Sequence, residues 1–533
     1  NLNRDEYQLV GNSEIFNDAL KQGNQTITFM NQTLHAKYNH TIDGFLMMNN
    51  NACFGEDCFG FIIVPDEFDL SNLNYSTNYL LVPKMSDENN KMKRGLKNRH
   101  MQMIALGTSI GTGLFYGSAP TIKLVGPGII LSYALAGVFI FCIMRMVGEM
   151  SVKEPVSGSF VYFANKYLGP FAGYLAGWNY WFLYLLVCFA ELSAIAIYVN
   201  YWFPDVPHWI TVLVCIVVVT TVNLINVKTF GEAEFWASFI KILAICCMIV
   251  FGFYLIFTTM GPFPDNFSNL WNNGGFFPNG AWGFAQSLAV VMFSFGGVEL
   301  IGIAAGEAEN PEKTLPRAIN EVLLRILIFY IGTMVVLMTL APWDEVGLNA
   351  SPFVQIFSNI GVPAAANILN FVVIVAALSV YNSSLYSTSR ILHNLAQNGN
   401  APKMFASLSR RGIPMVGILV STAISLLLVI LTYILPEKVF MYLLSTVVAA
   451  LVITWATIAI THMKFRMKFI QENRLDELHF KAFLFPYINY FCFIFLAAIV
   501  VIMFFMEDMR ISLGALVVWV AFIYITYKLR AKV

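Results

Sequence analysis

From about residue 101 onward, the sequence is a succession of apolar runs, each long enough to cross a bilayer, separated by short polar segments. A transmembrane helix needs ~20 predominantly apolar residues. Lipid cannot hydrogen-bond the backbone, so such runs cross a membrane as helices that pair their own peptide groups. The chain is 57% hydrophobic and 12% charged, about half the charged fraction of a soluble protein. The sequence therefore predicts an all-α integral membrane protein and excludes a soluble enzyme of several domains.

The apolar runs predict twelve transmembrane helices. Short segments rich in Gly, Pro and Asn, such as residues 261–264 and 272–275, separate them. The predicted helices cover residues 101–122, 126–148, 171–199, 208–226, 236–258, 281–305, 318–341, 362–386, 414–434, 437–461, 486–506 and 511–528.

The Lys and Arg residues indicate how these helices are oriented. After residue 90 there are 28 of them, and 24 lie before the first helix, after the last, or in and beside every second loop. Three lie on the other side, and Lys241 lies inside a helix. Because basic residues are retained on the cytoplasmic side, both termini are predicted to be cytoplasmic. The net charge of zero argues against a nucleic-acid partner.

The first 90 residues differ from the rest of the chain. They contain 15 Asn and no apolar run of spanning length. A signal peptide would have a basic segment followed by an apolar one, and these residues do not contain that pattern. We expect residues 1–84 to be a polar, Asn-rich appended segment of unknown role. Met85 then begins a short polar cytoplasmic leader, residues 85–100, ahead of a twelve-helix domain at 101–533.

Two of the predicted helices contain glycine clusters, at Gly107–Gly113 in the first and Gly296–Gly297 in the sixth. Glycine inside a helix costs ~0.5–1 kcal/mol relative to alanine and favours local unwinding. Unwound backbone at membrane depth is tolerated only where it lines a cavity. The first and sixth helices occupy equivalent positions if two sets of five helices repeat with inverted topology, and matched interruptions of this kind indicate a transporter site. Close packing of small residues is the alternative interpretation.

The interrupted helices predict a site that binds a zwitterion through the backbone. Free N–H groups after Gly111 suit a carboxylate, and carbonyl groups at Thr108–Ile110 and Phe293–Phe295 can accept from an ammonium group. The predicted substrate-binding residues are Thr108, Ser109, Ile110, Gly111, Thr112, Gly113, Tyr184, Phe293, Ser294, Phe295, Gly296 and Glu299. No cofactor, metal or catalytic residue is expected, and the absence of a G-x-x-x-x-G-K motif excludes an ATP-driven pump.

Three ionisable residues lie within predicted helices: Lys241, Glu191 and Glu299. Each costs ~2.5–3.5 kcal/mol there on insertion scales, so a functional role is the first hypothesis and a structural ion pair the second. Removal from water disfavours the charged form of lysine, which lets its side chain release and regain a proton. We predict that Lys241 carries the coupling proton, with Glu191 as its partner. Glu149 and Glu234 lie near predicted helix ends and are expected to be structural.

Residues from Lys93 to the C-terminus resemble the amino acid permeases of the amino acid–polyamine–organocation superfamily. The motifs that carry this resemblance are Ile110–Phe115, Gly148–Met150, Gly177–Trp181, Gly231–Trp236, Phe293–Gly297, Gly306–Pro311 and Ala377–Ser383. Within the superfamily, Ser351–Val354 and His462–Arg466 are most similar to bacterial aromatic amino acid and phenylalanine permeases.

The resemblance implies a LeuT-like fold of twelve helices, with a 5+5 inverted repeat, two further C-terminal helices, and discontinuous helices 1 and 6. It also implies proton-coupled uptake across the cytoplasmic (inner) membrane, with Lys241 at the place of a sodium ion in sodium-coupled relatives. The expected partners are an amino acid, a proton and the lipid bilayer.

The substrate class is less sharply indicated by the residues. Phe293, Phe295, Tyr180, Trp181 and Tyr184 can stack on an aromatic substrate, or they can pack between helices. Other neutral amino acids such as proline, glycine or alanine remain alternatives to an aromatic one. Exchange in place of symport, and a non-transporting sensor of the same fold, also remain open.

Overall fold

The computed structural model describes strands between residues 7 and 83 and much of the chain after residue 109. The described ranges in that second part are 110–156, 158–225, 227–258, 266–299, 315–317, 319–321, 324, 326–346, 351–359, 361–409, 412–434 and 439–530. The chain divides into two compact units, Asn1–Lys91 and Met92–Val533.

The first unit contains short antiparallel strands. Strands β2, β3, β4 and β7 form a four-stranded sheet in that order, in which Leu34 of β3 pairs with Ile27 of β2 and with Asn49 of β4. Strands β1 and β8 form one two-stranded sheet, and β5 and β6 form another. The strands are β1 (Tyr7–Leu9), β2 (Gln25–Phe29), β3 (Gln32–Asn39), β4 (Gly44–Asn49), β5 (Cys53–Phe54), β6 (Asp57–Cys58), β7 (Ile62–Pro65) and β8 (Leu81–Pro83). The prediction that residues 1–84 are an appended segment stays a prediction.

The described residues of the second unit form helices and connecting turns. The α-helices are α1 (Thr112–Phe115), α2 (Ser118–Val125), α3 (Ile129–Lys153), α4 (Ser159–Leu168), α5 (Pro170–Asn200), α6 (His208–Ile225), α7 (Val227–Thr258), α8 (Gly280–Val291), α9 (Thr333–Leu340), α10 (Pro352–Asn359), α11 (Pro363–Gln397), α12 (Met415–Ile434), α13 (Val439–Gln471), α14 (Tyr487–Phe505) and α15 (Glu507–Arg530). Short 3₁₀ segments include Gly126–Gly128, which joins α2 to α3, and Met292–Phe295, which continues α8. A π-helical segment, Ile326–Gly332, precedes α9.

Eight helical runs among the described residues are long and apolar enough to cross a membrane, so the chain is a multi-pass membrane protein. They are Thr112–Lys153, Pro170–Asn200, His208–Ile225, Phe230–Thr258, Pro363–Gln397, Phe440–Gln471, Tyr487–Phe505 and Glu507–Arg530. Three shorter apolar helices, Gly280–Phe295, Ile328–Leu340 and Met415–Ile430, lie within further predicted spans.

Several helices extend past the ends predicted from the apolar runs. Helix α7 begins at Val227, nine residues before the predicted start at 236, and α11 ends at Gln397 where 386 was predicted. Helix α13 likewise continues to Gln471 beyond the predicted end at 461. The apolar run marks only the part of a helix that lies in lipid, and polar residues beyond it can remain helical, as Glu234 does within α7.

Helix α5 lies in the interior of the second unit, where it packs against α11 and α13. Large side chains such as Trp455 and Tyr133 are fully buried there. Helix α15 instead turns apolar side chains outward, and Val517 and Val518 are each 70% exposed. Exposed apolar surface of this kind on a spanning helix is suited to contact with lipid. The first helix, α1, contacts both α5 and α11 near the middle of this arrangement.

Candidate functional site

The two glycine-containing segments singled out in the sequence meet in the structure. Gly113 of α1 faces the backbone of Ser294, and a β-carbon added to Gly113 would lie 2.6 Å from the Ser294 Cα atom. The Ser294 hydroxyl is 2.9 Å from the Tyr133 hydroxyl, and the Ser294 carbonyl accepts a hydrogen bond of 3.0 Å from Tyr330. The absence of a side chain at Gly113 is therefore what lets the two segments touch.

Gly111 and Thr112 place the start of α1 against a buried carboxylate. Gly111 is extended (φ −132°, ψ −158°) and caps α1. The Thr112 hydroxyl donates a 2.9 Å hydrogen bond to Oε1 of Glu191 on α5, and both side chains are buried. A β-carbon on Gly111 would lie 3.0 Å from the same Glu191 oxygen and 2.9 Å from a methyl group of Val380. Oε2 of Glu191 has no hydrogen-bond partner among the described residues.

The described helical run of the sixth predicted span ends where its glycines occur. The 3₁₀ segment ends at Phe295, Gly296 turns to an extended conformation (ψ 136°), and Gly297 has a φ of 99°. This positive φ favours glycine, because other residues meet a steric penalty there. Ile110 is buried beside Gly111 at the start of the other segment. Thr108 and Ser109, two predicted substrate-binding residues, lie outside the described residues.

A small cavity lies beside the interrupted segment. Its volume is about 20 Å³, which holds a water-sized molecule, so an amino acid enters only after side chains or helices move. The described residues that line it are uncharged: Leu183, Tyr184, Val187, Gly296, Gly297, Val380, Ser383, Ser384 and Leu451. Tyr184 and Gly296 were predicted from the sequence, and the α11 residues were not. The available signal was the spacing of Val380, Ser383 and Ser384, because residues three and four positions apart share one helix face.

The two phenylalanines of the interrupted segment have different surroundings. Phe295 is fully buried and stacks on Tyr330, with ring centroids 4.8 Å apart. Phe293 meets Phe440 edge to face at 6.0 Å. Neither lines the cavity, whereas Tyr184 does.

The aromatic residues of α5 pack mainly against one another and their neighbours. Tyr180 is buried, lies edge to face with Phe160 at 4.7 Å, and donates a 3.2 Å hydrogen bond to the Tyr184 hydroxyl. Trp181 lies edge to face with Trp178 at 5.5 Å. Of these side chains, Tyr184 alone lines the cavity.

Lys241 is fully buried in α7 and belongs to a series of hydrogen bonds that connects α7 to α11. Its ammonium group donates a 2.9 Å hydrogen bond to the Ser379 hydroxyl. That hydroxyl donates a short hydrogen bond, 2.5 Å, to Oε1 of Glu234. Glu191 and Glu234 both interact electrostatically with the lysine. Glu234 was expected to be a structural residue near a helix end. The structure places it within α7, where it is fully buried.

Glu299, predicted to bind substrate, is fully buried just after the interruption at Gly297. Its carboxyl group interacts electrostatically with the Trp455 indole and the Tyr180 hydroxyl. Neither of its oxygens has a hydrogen bond of normal geometry to a described residue. Glu299 therefore lies against Tyr180 of α5 and Trp455 of α13, and it is not among the described residues that line the small cavity.

Glu149, near the C-terminal end of α3, forms a second buried ionic cluster. Its carboxylate contacts Arg466, accepts the backbone N–H of Ala482 at 2.6 Å, and lies 3.0 Å from His462 Nε2. Asn489 of α14 pairs with His462 Nδ1 in turn. These contacts join α3 to α13, α14 and the segment between them, an arrangement that fits the structural role expected for Glu149.

Comparison with known proteins gives consistent matches. Residues 100–533 match the family described as Amino acid permease. The aromatic amino acid transport protein AroP of Escherichia coli strain K12 is 51% identical over 442 residues, which make up 83% of this chain and 96% of that protein. AroP of Salmonella typhimurium strain LT2 is 50% identical over 443 residues, with the same shares of the two chains. The uncharacterized amino acid permease YtnA of Bacillus subtilis strain 168 is 45% identical over 445 residues, again 83% of this chain and 96% of the relative.

Proposed function

Because the chain belongs to the amino acid permease family, we propose that it imports aromatic amino acids in symport with protons across the cytoplasmic membrane. The observation that carries the substrate class is the lining of the cavity. Tyr184 and the apolar side chains of Leu183, Val187, Val380 and Leu451 enclose it, and no charged side chain is present among its described lining residues. Such walls favour an uncharged, apolar substrate side chain. The names of the AroP relatives point to the same class.

The backbone around the two interruptions is the proposed site for the amino acid's charged groups. The carboxylate is held near Gly111, Thr112 and Gly113, and the ammonium group near the carbonyls of Ile110 and Phe293–Phe295. The extended backbone of Gly111 and the missing β-carbon at that position support this assignment. Thr108 and Ser109 belong to the same proposed site.

Glu191 gives a physical reason for coupling between substrate and proton. Its Oε1 atom lies 3.0 Å from the position of a Gly111 β-carbon, so a charged Glu191 would face the substrate carboxylate at close range. Two like charges in a desolvated site repel strongly. A proton on Glu191 removes that repulsion, and Lys241 interacts with the same carboxylate. We therefore assign Glu191 and Lys241 to proton coupling, and Glu299 and Tyr184 to the substrate side of the site.

The proposed architecture follows from the same observations. Twelve transmembrane helices form a 5+5 inverted repeat followed by two C-terminal helices, with helices 1 and 6 discontinuous. The contact between Gly113 and Ser294 supports the pairing of these two helices. Both termini are proposed to be cytoplasmic, since 24 of the 28 basic residues after position 90 lie on that side of the predicted topology.

A transporter for smaller neutral amino acids is the second candidate. The observation in its favour is that the cavity, at about 20 Å³, has to enlarge less to hold glycine, alanine or proline than to hold tryptophan. Competition by all twenty amino acids against labelled phenylalanine separates the two candidates. Tyrosine and tryptophan compete best if the first is right, and proline, glycine or alanine compete best if the second is right.

Uptake into liposomes that contain the purified protein tests transport and coupling together. With a pH gradient and no internal amino acid, the wild-type protein is expected to accumulate phenylalanine. Lys241→Ala is expected to lose this accumulation. Lys123→Ala changes a half-buried lysine that donates a hydrogen bond to the Asp344 carbonyl, and it is expected to keep the accumulation. Binding without accumulation would indicate a sensor, and uptake only into vesicles preloaded with amino acid would indicate an exchanger. Gradient-driven uptake by Lys241→Ala would refute the coupling assignment.

A further inference from the structure

Two consecutive hydrogen bonds connect Lys241 to Glu234, a buried acidic residue on the same helix. The lysine ammonium donates to the Ser379 hydroxyl at 2.9 Å, and that hydroxyl donates to Glu234 Oε1 at 2.5 Å. The two bonds point in the same direction, with each donor facing the next acceptor. Ser379 contributes from α11, so this connection leaves α7 and returns to it.

The geometry of α7 explains why the two charged groups can share one serine. Glu234 and Lys241 are seven residues apart, which is close to two turns, so they lie on one face of the helix. Side chains of a helix tilt toward its N-terminus, and the long lysine side chain therefore reaches back toward Glu234. Glu234, Lys241 and Ser379 are all buried, with at most 3% of each exposed.

Glu234 has spare capacity as a proton acceptor. Ser238 also donates to its Oε1 atom, at 3.3 Å, while Oε2 has no hydrogen-bond partner among the described residues. A carboxylate that served only to neutralise Lys241 would be expected to accept a hydrogen bond directly from the ammonium group. Here a hydroxyl group, which can accept one proton while giving up another, is interposed between them.

We propose that Ser379 and Glu234 form a relay that carries the coupling proton away from Lys241. The Lys241 ammonium group passes a proton to Ser379 Oγ while Ser379 passes its hydroxyl proton to Glu234 Oε1. The lysine ends as a neutral amine, the serine is unchanged, and Glu234 ends as a neutral carboxylic acid. The two hydrogen bonds, 2.9 Å and 2.5 Å long, carry the positive charge away from Lys241 toward Glu234. Glu234 lies nearer the start of α7, which is the cytoplasmic end in the proposed topology. The relay rests on the proposed symport and extends it to two residues that carry no assigned role.

The test compares two modes of transport in liposomes that contain the full-length protein. Accumulation driven by a pH gradient requires the proton to leave the carrier in every cycle. Exchange of labelled for unlabelled phenylalanine at one acidic pH on both sides does not, because the carrier can return with its proton. The relay therefore predicts that Ser379→Ala lowers gradient-driven accumulation at least 10-fold and leaves exchange within about twofold of wild type. Ser379→Thr restores the hydroxyl and is expected to restore accumulation.

Two further variants separate the relay from a structural role. Glu234→Gln keeps the shape of the side chain but removes the carboxylate that takes the proton, and it is expected to show the same selective loss as Ser379→Ala. Ser238→Ala removes a hydrogen bond to the same carboxylate from outside the relay, and it is expected to behave as wild type in both modes.

The outcomes distinguish the relay from the symport on which it rests. If the wild-type protein exchanges phenylalanine but does not accumulate it, the symport proposal fails. If the wild-type protein accumulates substrate and Ser379→Ala does so equally well, the relay is wrong. An equal loss of accumulation and exchange in both Ser379→Ala and Glu234→Gln would also overturn it, because that result identifies a link that only holds α7 to α11.

Discussion

Replacing Gly113 with alanine tests whether the two interrupted segments must touch for transport. The new β-carbon would lie 2.6 Å from Ser294 Cα, 3.1 Å from its backbone nitrogen and 3.2 Å from its hydroxyl oxygen. Carbon atoms pack best at ~3.5–4.0 Å, so the segments have to separate by ~1 Å. The obstructing atoms are mainly backbone and cannot rotate away, as the end of a flexible side chain could.

The size of the effect follows from this clash. Overpacking of a close contact costs ~1–3 kcal/mol, and the gain in helix propensity from glycine to alanine, ~0.5–1 kcal/mol, offsets part of it. A displacement of ~1 Å in a site can lower a rate by ~100-fold, so we expect initial phenylalanine uptake to fall at least 10-fold. The melting temperature of the detergent-solubilised protein is expected to fall as well.

Gly514→Ala is the matched control, because a β-carbon at Gly514 meets nothing within 4 Å. It makes the same chemical change in α15, on the helix with the outward apolar face, and is expected to leave uptake and melting temperature at or above wild-type values. Uptake and stability of Gly113→Ala equal to those of Gly514→Ala would refute the close contact between the two segments.

Three other substitutions test separate parts of the account. Gly111→Val adds a side chain at a position where even a β-carbon would lie 3.0 Å from Glu191 Oε1. Phenylalanine binding, measured with labelled substrate, should weaken at least 10-fold. Unchanged affinity would contradict the proposed carboxylate site. Glu191→Gln keeps an oxygen for Thr112 but removes the charge, so uptake should lose most of its dependence on the pH gradient; a wild-type dependence would rule out the assigned role. Glu149→Gln leaves buried Arg466 without its carboxylate, which should destabilise the protein by ~3–5 kcal/mol. Thermal unfolding in detergent measures this loss, and the control is Glu321→Gln, at a side chain that is 44% exposed and pairs with Arg317. A loss of stability no larger than that of the control would contradict the structural role.

The apolar runs predict where helices lie, and the structure places a described helix within each predicted span. Their ends were less predictable, because hydrophobicity reports the part of a helix that lies in lipid. This limitation led directly to the interpretation of Glu234. With α7 expected to start at residue 236, Glu234 fell outside the helix, whereas α7 begins at Val227 and buries that side chain. The ten-residue α4 was missed for a related reason, since a short amphipathic helix has no spanning apolar run.

The site could be predicted as far as its backbone and no further. The two glycine clusters predicted that the first and sixth helices are interrupted. Among the described residues, α1 begins at Thr112, the helical run that contains α8 ends at Phe295, and Gly113 lies against Ser294. The hydrogen bond between Thr112 and Glu191 joins residues 79 positions apart, and that between Lys241 and Ser379 joins residues 138 apart. No local pattern encodes such pairs, because they depend on how whole helices cross. The serines of α11 were overlooked because serine is common in apolar helices and because the contact of Ser379 with Lys241 depends on how α11 crosses α7.

The measurement that tests the central claim most directly is accumulation of labelled phenylalanine by liposomes that contain only this protein. A pH gradient, acidic outside, is imposed with no internal amino acid and no other ion gradient. The account predicts accumulation above the external concentration that a protonophore abolishes and that excess tyrosine or tryptophan suppresses. The account would be contradicted if phenylalanine only equilibrated across the membrane, or if the protonophore left accumulation unchanged.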